Sequence, residues 1–182
     1  MTVPPPPGAA STQTWVIGTQ TWSAPLKKAQ TGCTESTDFG TSNTPTTAMY
    51  RSSGLYTGSG YLYNWKCVSE QSTDLCPSPW RVPTATDLCD LDKALFNASR
   101  CVNRSDVPLS DITAKYINLW GGAYGGFATE KTVNATGYSG LYWAVWSYTS
   151  EHAYNLHFNT SGVVYPELSD LKRFGFQVRC VR

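Results

Sequence analysis

The sequence predicts one α+β domain built from short strands, long ordered loops and two helices. Charged residues make up only 15% of the 182 residues, while Gly, Pro, Ser, Thr and aromatic residues are plentiful. That composition is typical of strands and turns rather than of helical bundles. Apolar residues recur at period 2 in two segments near the carboxyl end, and at helical spacing in two central segments. A chain of this length can bury a core of its own.

Residues 1–13 are predicted to form a flexible, Pro-rich tail ahead of a domain that spans residues 14–182. The run from Pro4 to Pro7 favours an extended polyproline conformation. The functional alternative is a stiff spacer that attaches the domain to a larger assembly. This segment lacks the charged start and apolar core of a secretory signal.

Residues 14–26 predict two short strands that are joined by a tight turn at Gly18 and Thr19. Residues 30–55 are rich in Thr, Ser and Gly and predict a long ordered loop. Residues 60–66 alternate aromatic side chains, which predicts another strand.

A helix is predicted to begin after Thr84, whose side chain can cap it together with Asp87 three residues later. Four residues at helical spacing form its apolar face: Leu88, Leu91, Leu95 and Phe96. A second, shorter helix is predicted over residues 111–120 and ends at Gly121. The Gly-rich residues 121–140 predict a packed loop.

Two further strands are predicted in the last quarter of the chain. In residues 153–158, alternation sends three apolar side chains to one face: Tyr154, Leu156 and Phe158. It sends Asn155 and His157 to the other face. In residues 175–181, one face holds Phe176, Val178 and Cys180.

Between these regularly spaced residues lie others that follow no structural period, which we call the irregular positions. They are Val145, Trp146, Tyr148, Asn155, His157, Asn159, Tyr165, Glu167, Leu168, Asp170, Leu171, Lys172 and Phe174. Many of them are large and apolar, and such residues gathered on a surface usually mark a binding site. The irregular positions are therefore the predicted site.

Three segments together resemble the Fibrobacter-type major paralogous domain: CPSPWRVPTATDL at 76–88, TWVIGTQTWSAPL at 14–26 and GFQVRCVR at 175–182. That family is a bacterial extracellular module with a C-type lectin fold, related to the formylglycine-generating-enzyme group. The resemblance implies a small, twisted, mostly antiparallel sheet that is flanked by two helices and joined by long ordered loops.

Residues 142–181 also resemble the variable region of diversity-generating retroelement proteins. The shared framework consists of Tyr142, Trp143, Ser147, Ala153, Tyr154, Leu156, Phe158, Gly162, Pro166, Arg173, Gly175, Phe176, Val178, Arg179 and Cys180. In those proteins, adenine-directed mutagenesis copied from a template repeat varies the residues between the framework ones. The resemblance thus implies that the irregular positions vary and form a solvent-exposed binding surface.

The chain has six cysteines and none of them forms a CxxC pair, so a zinc site is not expected. If the resembled fold holds, Cys180 in the last strand would bond to Cys76. The next expected pairs are Cys89–Cys101 and Cys33–Cys67, out of about 15 possible connectivities for six cysteines. Reduced thiols remain the alternative, because no export signal is visible.

Several function classes are disfavoured by composition and motifs. The net charge is +1 and no basic run is longer than a pair such as Lys27-Lys28, so no nucleic-acid partner is expected. No apolar run is long enough for membrane insertion. A Cys–His catalyst would need an accessible thiol near His152 or His157. A carboxylate pair would have to come from Glu151, Glu167 or Asp170, two of which are irregular positions.

The sequence therefore predicts a non-enzymatic binding protein without a cofactor or a resident metal. The calcium-dependent sugar motifs of C-type lectins are not matched, because this chain has YPELSD and YWAV in their place. The expected partner is a protein or cell-surface ligand, met outside the cell, at the cell surface or on a virion, with attachment through the N-terminus. The alternatives are a non-diversified adhesive or structural module of the same fold, and an enzyme of the formylglycine-generating or hydrolase type.

Overall fold

A computed structural model describes residues 4–52 and 59–182 of the protein, and it is an α+β structure with few helices. The helices are α1 (Trp65–Glu70), α2 (Ser72–Leu75), α3 (Ala85–Phe96) and α4 (Leu109–Ile112), which continues as a π-helix over Thr113–Leu119. The strands are β1 (Thr14–Ile17), β2 (Gln20–Ser23), β3 (Thr34–Glu35), β4 (Met49–Arg51), β5 (Leu62–Asn64), β6 (Phe127–Ala128), β7 (Val133–Asn134), β8 (Ser139–Ser147), β9 (His152–Asn159), β10 (Val164–Leu171) and β11 (Gly175–Phe176).

The described strands form three sheets. Strands β1 and β2 form an antiparallel hairpin, and β10, β9 and β8 form an antiparallel sheet in that order. The third sheet has the order β3-β4-β5-β11-β6-β7 and is mixed, because β3 runs parallel to β4. A parallel bridge between Tyr142 and Gln177 joins the second sheet to the chain that follows β11.

Helix α3 forms as its capping signal predicts. The Thr84 side chain accepts a hydrogen bond from the Asp87 backbone, and the Asp87 carboxylate accepts one from the Thr84 backbone. This reciprocal pair satisfies two N–H groups that a helix start leaves free. The predicted apolar face is confirmed, since Leu88, Leu91 and Leu95 are buried.

The second predicted helix is present, but most of it is π-helical. Its apolar residues still lie at the core: Ile112, Tyr116 and Trp120 are all fully buried. Gly121 ends it with φ of +72°, and a Cβ there would lie 2.2 Å from the Trp15 ring. Only glycine fits such a close approach without strain.

Two apolar cores lie on opposite faces of the β8–β10 sheet. One core lies against α3 and the π-helix and contains Tyr116, Trp120, Tyr142, Leu156 and Phe158. The other lies against α1, β5 and β11 and includes Tyr63, Cys67, Trp143, Phe176 and Val178. The predicted alternation is thereby confirmed: the Leu156 face and the Phe176 face each point into a core.

All three expected disulfides are present: Cys33–Cys67, Cys76–Cys180 and Cys89–Cys101. No cysteine remains as a free thiol. The bond between Cys76 and Cys180 joins residues that are 104 positions apart in the sequence. For a loop of that length, the chain-entropy model gives a stabilisation of about 4.7 kcal/mol through the lower entropy of the unfolded chain. Three disulfides suit an oxidising, extracellular environment.

Residues 4–10 contact the domain, whereas the sequence predicts a flexible tail there. The Pro4 carbonyl accepts a hydrogen bond of 2.8 Å from the Trp80 indole, and Pro6 is buried. Ala9 forms a bridge with Leu26 and packs against the core. At the other end of the chain, the Arg182 guanidinium lies 5.2 Å from the Trp80 ring. Pro4 and Arg182, the first and last described residues, therefore both contact Trp80.

Three other expectations are corrected. The predicted strand over 60–66 stops at Asn64, because the Asn64 side chain accepts from the Cys67 backbone and caps α1. The predicted loops 30–55 and 121–140 each contain two short strands, and residues 53–55 lie outside the described residues. Within the described chain, no helix has the length and apolar character needed to cross a membrane.

Candidate binding cleft

The candidate site lies on the face of the β8–β10 sheet that points away from α3. Register sets its members: His157 lies opposite Tyr165, and Asn155 lies opposite Leu168. Paired residues in an antiparallel sheet share a face. Their neighbours Phe158 and Leu156 point to the opposite face and are fully buried. The buried side chains on the opposite face therefore fix the strands that carry the site residues.

Four irregular positions line one cleft of about 270 Å³: His157, Leu168, Asp170 and Phe174. Framework and loop residues complete its walls: Phe127, Ser139, Leu141 and Phe176. Asn155 and Tyr165 lie directly beside it through contacts with Asp170 and His157. We call these eight lining residues, together with Asn155 and Tyr165, the cleft.

One wall of the cleft is aromatic. The ring centroids of Phe127 and Phe174 are 5.9 Å apart, and each lies 6.3 Å from the centroid of Phe176. Such offset and edge-on arrangements are the favourable ones for aromatic rings. Phe176 also stacks on the buried Trp143 at 4.1 Å. This wall is therefore anchored in the core rather than free to move with the loop.

The other wall is polar and partly desolvated. The Asn155 amide donates a hydrogen bond of 3.1 Å to the Asp170 carboxylate, while the Asn155 carbonyl oxygen is buried without a partner in the described structure. Burial raises the pKa of Asp170, against the opposing effects of the Asn155 hydrogen bond and of His152. Burial lowers the pKa of His157, which favours its neutral form.

His157 is oriented by two neighbours. Its Nε2 lies 3.3 Å from the Ser139 hydroxyl, and the Tyr165 ring meets it edge-on at 6.2 Å between centroids. The cleft therefore offers hydrogen-bond acceptors at one end and an aromatic surface at the other. Such a combination is common in binding sites.

Several irregular positions lie away from the cleft. Trp146 is 48% exposed at the end of β8, and Tyr148 is 58% exposed and packs edge-on against Tyr154. Val145 lines a separate groove beside Trp80. Glu167 lies near the Cys89–Cys101 disulfide. Leu171 lies opposite His152, which places it on the Tyr154 face.

The structure corrects the expected exposure at three irregular positions, which are buried: Asn155, Asn159 and Lys172. The Asn159 carbonyl oxygen accepts hydrogen bonds from Ser161 and the Val163 backbone, which shapes the β9–β10 turn. The Lys172 ammonium donates to the carbonyls of Thr149 and Ser150. These side chains hold turns in place, so Asn159 and Lys172 behave as framework.

The aromatic contribution of Phe127 was not found from the sequence. It lies in the Gly-rich segment read as a packed loop, and β6 brings it to the cleft by pairing with β11. Phe127 is one of three aromatic residues in that Gly-rich segment, with Tyr124 and Tyr138, so no local signal distinguishes it. The sequence predicts that Phe176 faces inward, and it is buried, but its edge also lines the cleft.

One group of potential metal ligands converges in the described chain: Cys89, Cys101 and Glu167. Metals bind the cysteine thiolate, and these two sulfurs are joined in a disulfide. The group therefore does not fit a metal ion. The same bonding state removes the thiol that a Cys–His catalyst would need.

Comparison with known proteins assigns the family. Residues 16–182 match the Fibrobacter succinogenes major domain (Fib_succ_major). No curated protein and no solved structure matches the chain. Since the match covers nearly the whole chain, including the cleft and all three disulfides, the protein belongs to the Fibrobacter succinogenes major domain family.

Proposed function

We propose that this domain is a non-enzymatic recognition protein with a C-type lectin fold, which binds a protein or cell-surface ligand through the cleft. The observation that carries the proposal is the convergence of six irregular positions on one site: Asn155, His157, Tyr165, Leu168, Asp170 and Phe174. They come from β9, β10 and the segment before β11. These six irregular positions, which follow no structural period in the sequence, therefore lie close together in the structure.

The packing behind the cleft would let the side chains at the irregular positions differ between variants of the protein while the fold stays the same. Phe158 is stacked 4.6 Å from Tyr116 behind the sheet, and Trp143 is stacked 4.1 Å from Phe176 beside it. A fixed buried face sets strand register independently of the other face. We therefore propose that the exposed irregular positions are diversified, as in the retroelement proteins that residues 142–181 resemble.

The interface extends beyond the cleft in this proposal. A standard interface takes about 20–30 residues a side, and the cleft supplies fewer. Trp146 and Tyr148 are exposed aromatic residues on the adjoining hairpin, and aromatic residues are frequent hot spots. They would contact the ligand outside the cleft. The disulfides suit a protein that meets its ligand outside the cell or on a virion.

A library experiment tests the binding role without knowing the ligand. One library randomises His157, Leu168, Asp170 and Phe174, and a matched library randomises the buried Tyr142, Leu156, Phe158 and Val164. After display on yeast, the first library is expected to retain folded protein and to yield binders to a panel of purified proteins. The second is expected to lose display. Equal loss of display in both libraries would contradict the proposal.

Sequencing the surrounding locus tests diversification. We expect a reverse transcriptase gene and a near copy of the final coding segment, with differences from it confined to adenines of the copy. A locus without that copy would favour the alternative, a non-diversified adhesive or structural module of the same fold. The buried states of Asn159 and Lys172 favour that alternative, because each has a structural partner.

A further inference from the structure

Asp170 differs from the two buried carboxylates of the described chain in having no cationic partner. Asp87 pairs with Arg81, and Asp92 pairs with Arg104 at 2.6 Å. Among residues 4–52 and 59–182, no Lys, Arg or His nitrogen lies within 4.0 Å of the Asp170 carboxylate. A partly desolvated charge is unfavourable unless it is paired. The cleft therefore contains a carboxylate without an ion pair in the described chain, although the His152 ring is near enough to lower its pKa against the effect of burial.

A second unsatisfied acceptor lies beside this carboxylate. Since the Asn155 amide nitrogen donates to Asp170, its carbonyl oxygen is left over, and that oxygen is buried without a partner. Buried polar atoms in folded proteins are nearly always hydrogen-bonded. The Asp170 carboxylate lines the cleft and is the acceptor that an entering group would meet, while the buried Asn155 oxygen behind it shows that this part of the cleft is short of donors. A guanidinium carries five N–H donors and an ammonium carries three.

The opposite wall suits the rest of such a side chain. Leu168 and the rings of Phe127 and Phe174 line the cleft beyond Asp170. Basic side chains bury their methylene stems against apolar surface and place their charge over aromatic faces. The Phe174 ring already contacts one guanidinium, Arg173 at 5.4 Å. Arg173 itself is engaged by the Thr41 carbonyl and lies 3.8 Å from Glu130.

We propose that the ligand is a protein that inserts an arginine or lysine side chain into the cleft, where Asp170 pairs with the charge and Phe127 and Phe174 contact the stem. This inference rests on the proposed recognition function and names the chemistry of its partner. A ligand with an anionic group here would meet the Asp170 charge, and a purely apolar ligand would leave that charge desolvated and unpaired. Charge complementarity therefore selects a basic partner.

The test uses the immobilised domain as bait for a random twelve-residue peptide display library. Peptides that bind are expected to be enriched in arginine or lysine over the unselected library. Each selected peptide is then titrated against the wild type, Asp170→Asn and Phe174→Ala. We expect Asp170→Asn to weaken binding at least tenfold. The control Asp106→Asn removes the same charge from an exposed site outside the cleft and should change binding less than twofold.

The outcomes separate this inference from the recognition function. Selected peptides that need Phe174 but show no basic enrichment would overturn the inference and leave the function standing. Basic peptides that bind Asp170→Asn within threefold of wild type would overturn it as well. If no selected peptide depends on Asp170 or Phe174, both fail. Thermal unfolding of Asp170→Asn excludes misfolding as the cause, since its melting temperature should equal or exceed that of the wild type.

Discussion

The two faces of the β8–β10 sheet differ in how far they bury a phenylalanine ring and in which partners they give a carboxylate. On the face toward α3, the Phe158 ring is fully buried and stacks on Tyr116, and the Asp92 carboxylate beneath it binds Arg104 and the Tyr116 hydroxyl. On the cleft face, Phe174 is half-buried, and Asp170 has one amide partner. On the first face the buried carboxylate has both an ionic and a hydrogen-bond partner, although the Trp120 indole N–H in the same core has none in the described structure. The second leaves groups for something else to satisfy.

Under the proposed function, this difference separates the residues that stabilise the fold from those that bind a ligand. A closely packed apolar face contributes folding free energy and fixes register. A face with a carboxylate that lacks an ion-pair partner and a partly exposed aromatic wall contributes less stability, because some of its groups lack contacts within the described chain. Matched substitutions on the two faces measure that separation.

The largest difference is expected between Phe158→Ala and Phe174→Ala. Removing the Phe158 ring leaves a cavity in a packed core and should lower the free energy of unfolding by about 3–5 kcal/mol. Removing the half-buried Phe174 ring loses less apolar burial and should lower it by about 1 kcal/mol. Urea denaturation, with the m-value checked for constancy, measures both. Similar losses at the two positions would contradict the distinction between the faces.

The next difference is between Asp92→Asn and Asp170→Asn. Neutralising Asp92 leaves Arg104 without its buried counter-ion and should destabilise the fold by about 3 kcal/mol. Neutralising Asp170 removes a desolvated charge. The new amide can also donate to the free Asn155 oxygen, so stability should stay equal or rise by up to about 1 kcal/mol.

The difference in stability between the wild type and Asp170→Asn should depend on pH. Burial raises the pKa of Asp170 in the folded state, so folding favours its protonated form. Stability that the wild type has at low pH is lost as pH rises from the ordinary aspartate value of about 3.9 through the raised folded pKa. Asp170→Asn should therefore gain on the wild type over that interval. A constant difference between the two proteins from pH 3 to pH 7 would contradict this.

A smaller difference in the free energy of unfolding is expected between two irregular positions, Asn159 and His157. Asn159→Ala leaves the Val163 amide and the Ser161 hydroxyl without their acceptor and should cost about 1–3 kcal/mol. His157→Ala, two residues earlier on the same strand, removes a half-buried ring whose polar contact is one long hydrogen bond at 3.3 Å. We expect it to cost less than Asn159→Ala in the same denaturation assay. The reverse order would mean that the turn does not depend on Asn159.

The smallest effect is expected at Trp146, which is 48% exposed. Trp146→Ala should change the free energy of unfolding by no more than about 0.5 kcal/mol. If Trp146 contacts the ligand, the same substitution should weaken binding of peptides or proteins selected with the wild-type bait. Destabilisation beyond about 1 kcal/mol would place this side chain in the framework.

Local signals in the sequence predicted the elements that depend on neighbours along the chain. Thr84 and Asp87 lie three residues apart, so the capping box of α3 is visible without a structure. The β9 alternation is likewise local. Helix α1 was missed because its cap, Asn64, ends a run of alternating aromatic residues that predicts a strand.

The burial of Asn155 and Lys172 could not be read from the sequence for a different reason. A polar residue that alternates with apolar ones predicts an exposed face. The cover for Asn155 includes Trp143, which lies opposite it on the neighbouring strand, and the cover for Lys172 includes Trp65, whose ring lies 4.4 Å from the ammonium. Trp65 is separated from Lys172 by more than a hundred residues of chain. Coverage by a distant segment leaves no local pattern.

The meeting of both chain ends at Trp80 has a topological consequence. Pro4 and Arg182 contact the same indole from the two ends of the described chain. Domains whose ends lie close together tolerate circular permutation and insertion into the loops of other proteins. A short linker between these ends would therefore let the chain be reopened at an exposed turn, or let the whole domain be placed within a host protein, with the spatial order of the strands in each sheet unchanged.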